Sequence, residues 1–275
     1  RKRIVLFYRY LNVSKGLFHE IAKLLIDVII VILAIGRLIE IRWIVHNIDK
    51  ESEMRYRFIV QLKRMMLSNV ARYFYVTSDI MKESFPYNKA KLRLVSFGKE
   101  YSSRPKEYGT KNLARLINNW KINHKKSPKF IGIVTNWGNK ENESLRLIHL
   151  ILQNNANGLL GLVYLGRKTN IQSEFFLEIN ERHEYFLKSL NVDFILKTLD
   201  DVSVPYTLYS AATAGIPMIS SSNSYFSKDL VKYGLGGTIE SCDEIISIIE
   251  NYDTTNASFF LEQNTWIKGA RSLIA

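Results

Sequence analysis

Val202-Ser203-Val204-Pro205-Tyr206-Thr207-Leu208-Tyr209-Ser210-Ala211-Ala212-Thr213-Ala214-Gly215-Ile216-Pro217-Met218-Ile219 reads as a buried strand, a turn, a helix of small residues, a Gly-x-Pro stop and a second buried strand. A strand ending at Pro205 and a helix starting near Thr207 place free backbone N–H groups and the positive end of a helix dipole at the carboxyl edge of a parallel sheet. A diphosphate binds in such a place. Ala211, Ala212 and Ala214 let the helix lie close to the sheet. The same stretch also reads as an ordinary strand-helix-strand unit of an α/β protein.

Outward from this stretch, apolar patterning organises the rest of the chain. Strands near 4–10, 41–46, 73–77 and 93–96 alternate with helices near 17–35, 53–69 and 79–84, the pattern of a parallel sheet covered by helices. A polar, basic stretch over 99–127 with a helix near 110–123 marks a boundary. A second sheet follows, with strands at 129–134, 159–165, near Phe194, at 202–204 and at 218–220. Helices near 141–154, 173–189, 207–214, 226–233 and 242–251 separate these strands, and a last helix spans about 258–273.

A second informative segment is Ile41-Arg42-Trp43-Ile44-Val45-His46-Asn47, followed by Asp49, Glu51 and Glu53. An apolar strand ending in Trp-x-x-His-Asn, then strands like Tyr73-Phe74-Tyr75-Val76-Thr77-Ser78 and Leu94-Val95-Ser96-Phe97-Gly98, then Asp201-Val202-Ser203-Val204-Pro205-Tyr206 and Gly-x-Pro, resemble in order and spacing the bacterial exopolysaccharide and capsule glycosyltransferases of the GT-B fold. The resemblance covers nearly the whole chain. It implies an α/β protein with two Rossmann-like parallel-sheet domains facing a cleft: an incomplete acceptor-side domain over 1–103, a linker with a helix over 104–127, a nucleotide-sugar donor domain over 128–257, and a crossover helix over 258–275. The first strand, Ile4 to Tyr10, matches an internal strand of that family, so the amino-terminal strand and its Gly-rich loop are expected to be missing.

The resemblance also distributes roles. It implies that His46 contacts the donor sugar or assists proton movement. Asp49 or Glu51 is then the candidate base on an acceptor hydroxyl, although acidic residues there also suit the first turn of a helix. Asn136, Gly138 and Lys140 follow the first strand of the second sheet, where related enzymes set a basic residue on the donor phosphates; Lys140 is the candidate cation, and also reads as a solvated lysine. Gly166 and Arg167 follow the next strand and border the nucleotide. Tyr206, Thr207 and Ser210 supply amides or hydroxyls around the phosphates, whereas Tyr209 reads equally as a packed aromatic. The chain departs from the family pattern twice. It has no second histidine soon after His46, and Ser210 stands where the retaining glycosyltransferase family 4 has a glutamate, five residues before Gly215. A serine there is common in the exopolysaccharide branch.

Charge divides the chain. Residues 1–128 hold 26 Lys and Arg against 10 Asp and Glu, a net +16, whereas 129–275 hold 12 against 16, a net −4. A basic half suits an anionic membrane surface, where each Lys or Arg contributes about 1 kcal/mol, or an acceptor carrying phosphate. No nucleic-acid-binding signature accompanies it. The apolar run Leu24 to Gly36 contains Asp27 and is too short to span a bilayer, which takes about 20 residues; it reads as a buried helix or as one lying in the membrane interface. A lone cysteine, Cys242, points to a reducing cytoplasmic location, peripheral to the inner face of a membrane in the second reading.

No Asp-x-Asp motif or Cys/His cluster calls for a metal, and no cofactor is expected beyond the nucleoside diphosphate sugar as co-substrate. The expected partners are that donor and a glycan or polyprenyl-linked acceptor. A non-catalytic GT-B subunit that binds glycan, lipid or a partner transferase is the alternative, and a nucleotide-sugar epimerase of the same fold is a third.

Overall fold

The computed structural model describes residues 4–8, 16–45, 56–96, 98, 104–123, 127–136, 141–180, 186–198, 205–239 and 241–274. They form two compact units, one of residues 1–97, 201–204 and 267–275, the other of 98–200 and 205–266.

In the first unit β1 (Ile4–Tyr8), β2 (Ile39–Ile44), β3 (Tyr73–Val76) and β4 (Leu92–Leu94) form a parallel sheet in that spatial order. Helices α1 (Leu17–Ile35), α2 (Arg57–Val70) and α3 (Asp79–Glu83) connect successive strands. Each crossover steps in the same direction, so right-handed connections place all three helices on one face. Alternation along the strands sends Ile41, Trp43, Phe74, Val76 and Leu92 to that face, where they pack with Leu67, Met81 and Phe85.

The opposite face is polar and aromatic. Glu40 lies between two guanidiniums, accepting from Arg42 Nε at 2.8 Å and Arg72 Nη1 at 2.6 Å. Arg42, Arg72 and Arg93 stand 5.6, 5.4 and 5.0 Å from the centroid of the Tyr73 ring. Burial pushes the Glu40 carboxyl up, but the two arginine hydrogen bonds outweigh it and hold Glu40 below the usual glutamate range. The last helix, Trp266–Ile274, closes this unit. A Cβ on Gly269 would lie 2.1 Å from the Ser96 carbonyl oxygen, so only glycine permits that approach, and Arg42 donates to the Leu273 carbonyl.

Helix α1 is built inside out. Glu20 and Asp27 are buried, and Lys63 of α2 lies between them, 2.9 Å from Glu20 Oε2 and 3.9 Å from Asp27 Oδ2. Tyr8 donates its hydroxyl to Asp27 Oδ1 at 2.5 Å. Burial raises the Asp27 carboxyl above its ordinary range and raises the Tyr8 phenol as well. The expectation of a buried helix fails here, because α1 turns a continuous apolar face to the surface.

The second unit holds a six-stranded, all-parallel sheet in the order β10-β9-β8-β5-β6-β7. Its strands are β5 (Phe130–Asn136), β6 (Leu160–Gly166), β7 (Phe176–Ile179), β8 (Phe194–Leu196), β9 (Met218–Ser221) and β10 (Gly236–Ile239). The remaining helices are α4 (Arg104–Asn123), α5 (Glu141–Asn154), α6 (Tyr206–Ala214), α7 (Ser227–Lys232), α8 (Cys242–Glu250), α9 (Thr254–Gln263) and α10, the Trp266–Ile274 helix already described. Every residue of β6 is buried, as an interior parallel strand requires. Gly132 of β5 lies under the Phe194 ring, where any side chain would collide.

Three sequence expectations change. The helix expected over 173–189 is replaced by strand β7 and a 3-10 turn at Leu187–Ser189. The single last helix is two, α9 and α10, interrupted at residues 264–265. Strand β10 was not expected. The helix placed in the linker is α4, which buries Leu113 and Ile117 and packs against the Leu187–Ser189 turn of the second unit. The strand expected at 202–204 lies outside the described residues.

Candidate functional site

The strand order of the second sheet reverses at β5. From β5 the chain runs outward through β6 and β7, then returns to the other side of β5 with β8. Such a reversal opens a crevice at the carboxyl ends of the two strands flanking it, the place where open α/β sheets bind ligands. Here those strands are β5, ending at Asn136, and β8, ending at Leu196. Just beyond β8, Thr198 Oγ1 and Ser144 Oγ of α5 share a buried hydrogen bond of 3.0 Å, which ties the start of α5 to the end of β8.

Helix α6 begins after β8 and is the helix expected from the sequence. Pro205 is its N-cap, with φ −69° and ψ 137°, and no side chain among the described residues caps it. Proline fixes the entry dihedral and carries no N–H of its own; the Leu208 N–H turns back on the Pro205 carbonyl at 3.0 Å, and the Thr207 N–H is the first-turn donor aimed toward an anion. At the other end Gly215 adopts φ 71°, and the Ile216 N–H donates to Ala211 O at 3.2 Å, the glycine-terminated stop that releases the chain into β9. Leu208, Tyr209, Ala211 and Ala212 form the buried face of α6. Tyr209 packs on Phe260 of α9 at 5.3 Å between ring centroids, so its packed-aromatic reading is the one observed.

A cavity of about 340 Å³ lies beside this helix, between the turn Phe186-Leu187-Lys188-Ser189 and Ser210, Thr213 and Ala214 of α6. Thr213 spends its hydroxyl on the Tyr209 carbonyl at 2.7 Å. Ser210 lines the same wall one helical turn nearer the crevice. Thr110 of α4 anchors the opposite wall, its hydroxyl oxygen accepting the Phe186 N–H at 2.7 Å.

Of the residues singled out from the sequence, Tyr206, Thr207 and Ser210 share the first half of α6, and Tyr206 is 46% exposed. Asn136 closes β5. Gly166 closes β6 and is buried under Tyr164, whose phenol would collide with any Cβ there; packing therefore requires the glycine independently of a ligand. Arg167, next along, is exposed and without an ion pair among the described residues. Gly138 and Lys140 belong to the connection after β5, outside the described residues, as are His46, Asp49 and Glu51 after β2. Val45 is buried and donates to Tyr75 O at 2.8 Å, so the strand that leads to His46 is firmly held up to that point. The residues that sequence reasoning missed are Lys188 and Ser189 of the cavity wall and the Ser144–Thr198 pair. Thr198, two residues past the apolar Phe194-Ile195-Leu196, was the available signal for the last of these.

No protein-family model matches the sequence, and no curated protein sequence matches it. Solved structures do match. The sucrose-phosphate synthase of Thermosynechococcus elongatus superposes with TM-score 0.60 at 10% identity, covering 98% of this chain and 71% of that one. The Anabaena protein HepE, solved with UDP-glucose, gives 0.58 at 12% identity over 91% of this chain and 74% of its own. WaaG, a glycosyltransferase involved in lipopolysaccharide biosynthesis, gives 0.53 at 12% identity over 84% and 73%. The fold is GT-B. At these identities the likeness establishes architecture: two parallel sheets, of four and six strands, each Rossmann-like, in the chain order of GT-B glycosyltransferases. Within that architecture α6 follows the strand at the reversal point of the second sheet.

Proposed function

We propose that this chain transfers a hexosyl group from a nucleoside diphosphate sugar to a glycan or polyprenyl-linked acceptor in cell-surface polysaccharide synthesis. The observation that carries the proposal is the uncapped, proline-led start of α6 beside the strand reversal at β5 and β8, in a GT-B fold. HepE, which shares the fold, was solved with UDP-glucose, making UDP-glucose the first donor to test. In this reading the acceptor oxygen attacks the anomeric carbon and the bond from that carbon to the diphosphate oxygen breaks. The acceptor proton passes to Asp49 or Glu51, with His46 on the donor sugar. The departing diphosphate is stabilised by the α6 amides and the Lys140 ammonium. The nucleoside lies at the carboxyl ends of β5 and β6, where Asn136, Gly138, Gly166 and Arg167 border it, with Ser210 facing it from α6.

Calorimetric titration with UDP, GDP and their sugar conjugates tests this. Thr207→Pro removes one amide donor while keeping a helix-compatible dihedral, and Ser210→Trp sets an indole one turn from that amide; each is expected to weaken nucleotide binding by about ten-fold, equivalent to about 1.4 kcal/mol. Absence of binding to the folded wild type would favour the second reading, a non-catalytic GT-B subunit. The observation that speaks for that reading is Ser210, a hydroxyl lining the cavity at the position where the resembling retaining family places a carboxylate.

A further inference from the structure

The outer face of α1 carries Phe18, Ile21, Leu25, Ile29 and Ile32, spaced by three or four residues and therefore aligned in one stripe. Phe18 is 89% exposed, Leu25 60%, Ile29 57% and Ile32 60%. From Phe18 to Ile32 the stripe runs about 21 Å along the 19-residue helix. The two acidic residues of the helix, Glu20 and Asp27, are both turned inward, so nothing anionic interrupts it. Rotating the helix to bury the stripe would strand the ammonium of Lys63, which is 1% exposed and held between those carboxylates. The inside-out orientation is thus locked from within, and an apolar stripe held outward in water is costly unless it meets an apolar medium.

We infer that α1 is a membrane-interface helix, lying in the plane of an anionic bilayer with Phe18, Leu25, Ile29 and Ile32 inserted below the headgroups. Charge selects this occupant over a second copy of the chain. Residues 1–97 hold 18 Lys and Arg against eight Asp and Glu, a net +10, so two such surfaces repel each other whereas anionic lipid attracts both. Arg37, exposed just past the helix with φ 58°, is placed to reach headgroups. Among the described residues no helix is long and apolar enough to cross a membrane, so α1 lies along the interface. The inference stands whether or not the chain is a transferase.

The test attaches an environment-sensitive fluorophore to Ile29→Cys in a Cys242→Ser background and adds vesicles. Phosphatidylcholine mixed with phosphatidylglycerol should shift the emission to the blue, phosphatidylcholine alone should shift it less, and the same label on Gln153→Cys, exposed on α5 of the second unit, should not respond. In a vesicle flotation assay of the unlabelled protein, the double variant Leu25→Asp, Ile29→Asp should partition about ten-fold less well, because interfacial binding scales with inserted apolar area. An unresponsive label at position 29, or equal flotation of the double variant and wild type, overturns the inference. So does a dimer, seen by light scattering without lipid, that the double variant dissolves; the stripe would then belong to a second copy.

Discussion

The two sheets solve the same problem of burial in different ways. In the second unit β6 is buried along its whole length, β5 meets β8 through Gly132 and Phe194, and the sheet core is aliphatic and aromatic. In the first unit only one sheet face is apolar. The other depends on Glu40, Arg42, Arg72 and Arg93 arranged around Tyr73, and its first helix depends on Lys63 held between Glu20 and Asp27. The contrast teaches that the second unit is stabilised mainly by non-directional burial, whereas the first is held in register by a few directional charges. The apolar stripe of α1 is thereby held facing outward.

The largest expected effect attacks a directional charge. Lys63→Ala leaves Glu20 and Asp27 buried without their cation and should destabilise the first unit by about 4 kcal/mol, measured by denaturant unfolding. Replacing the ions together, Glu20→Leu and Asp27→Asn with Lys63→Met, should restore most of that loss; no recovery would mean that packing rather than charge makes Lys63 essential. Next in size is Leu162→Ala in β6. It should cost about 3 kcal/mol with no dependence on pH, as loss of fully buried apolar volume does.

Glu40→Gln is the smallest, about 2 kcal/mol, but it carries a pH signature. The folded Glu40 has a lowered pKa, so its ionised form stabilises the fold above the ordinary value of 4.5, and that contribution fades as pH falls through the folded value. The Tm gap between wild type and Glu40→Gln should therefore be widest near neutral pH and close in acid. A gap that widened on acidification would show that the arginine pair does not govern this carboxylate.

Much of the architecture was legible because periodicity and punctuation agree. Leu17–Ile35 has helical spacing bounded by Gly16 and Gly36, and Tyr206–Ala214 sits between Pro205 and Gly215. The misreadings have physical causes. Residues 173–189 carry apolar residues at spacings a helix also shows, and only pairing with β6 makes 176–179 a strand. Strand β10 begins with two glycines, a poor strand signal. Their purpose appears only in three dimensions, where a Cβ on Gly236 would meet the Met218 carbonyl oxygen at 1.8 Å. Helix α6 was legible from Pro205 and the small residues behind it, but the cavity wall at Phe186–Ser189 was not, since tertiary folding alone brings it against Ser210. For α1 the sequence shows that an apolar face exists, and it cannot show which way that face points, because Lys63 decides this from another helix.

The seat of Gly269 on the Ser96 carbonyl has a consequence for synthesis. Domains usually fold in the order in which they leave the ribosome, yet the first unit here takes its closing helix from residues that follow the whole of the second. A nascent chain therefore carries four strands whose Arg42 and Ser96 have no helix to meet until residue 274 has been added. The strands of the first unit are thus made before the second unit and gain their closing helix only after it.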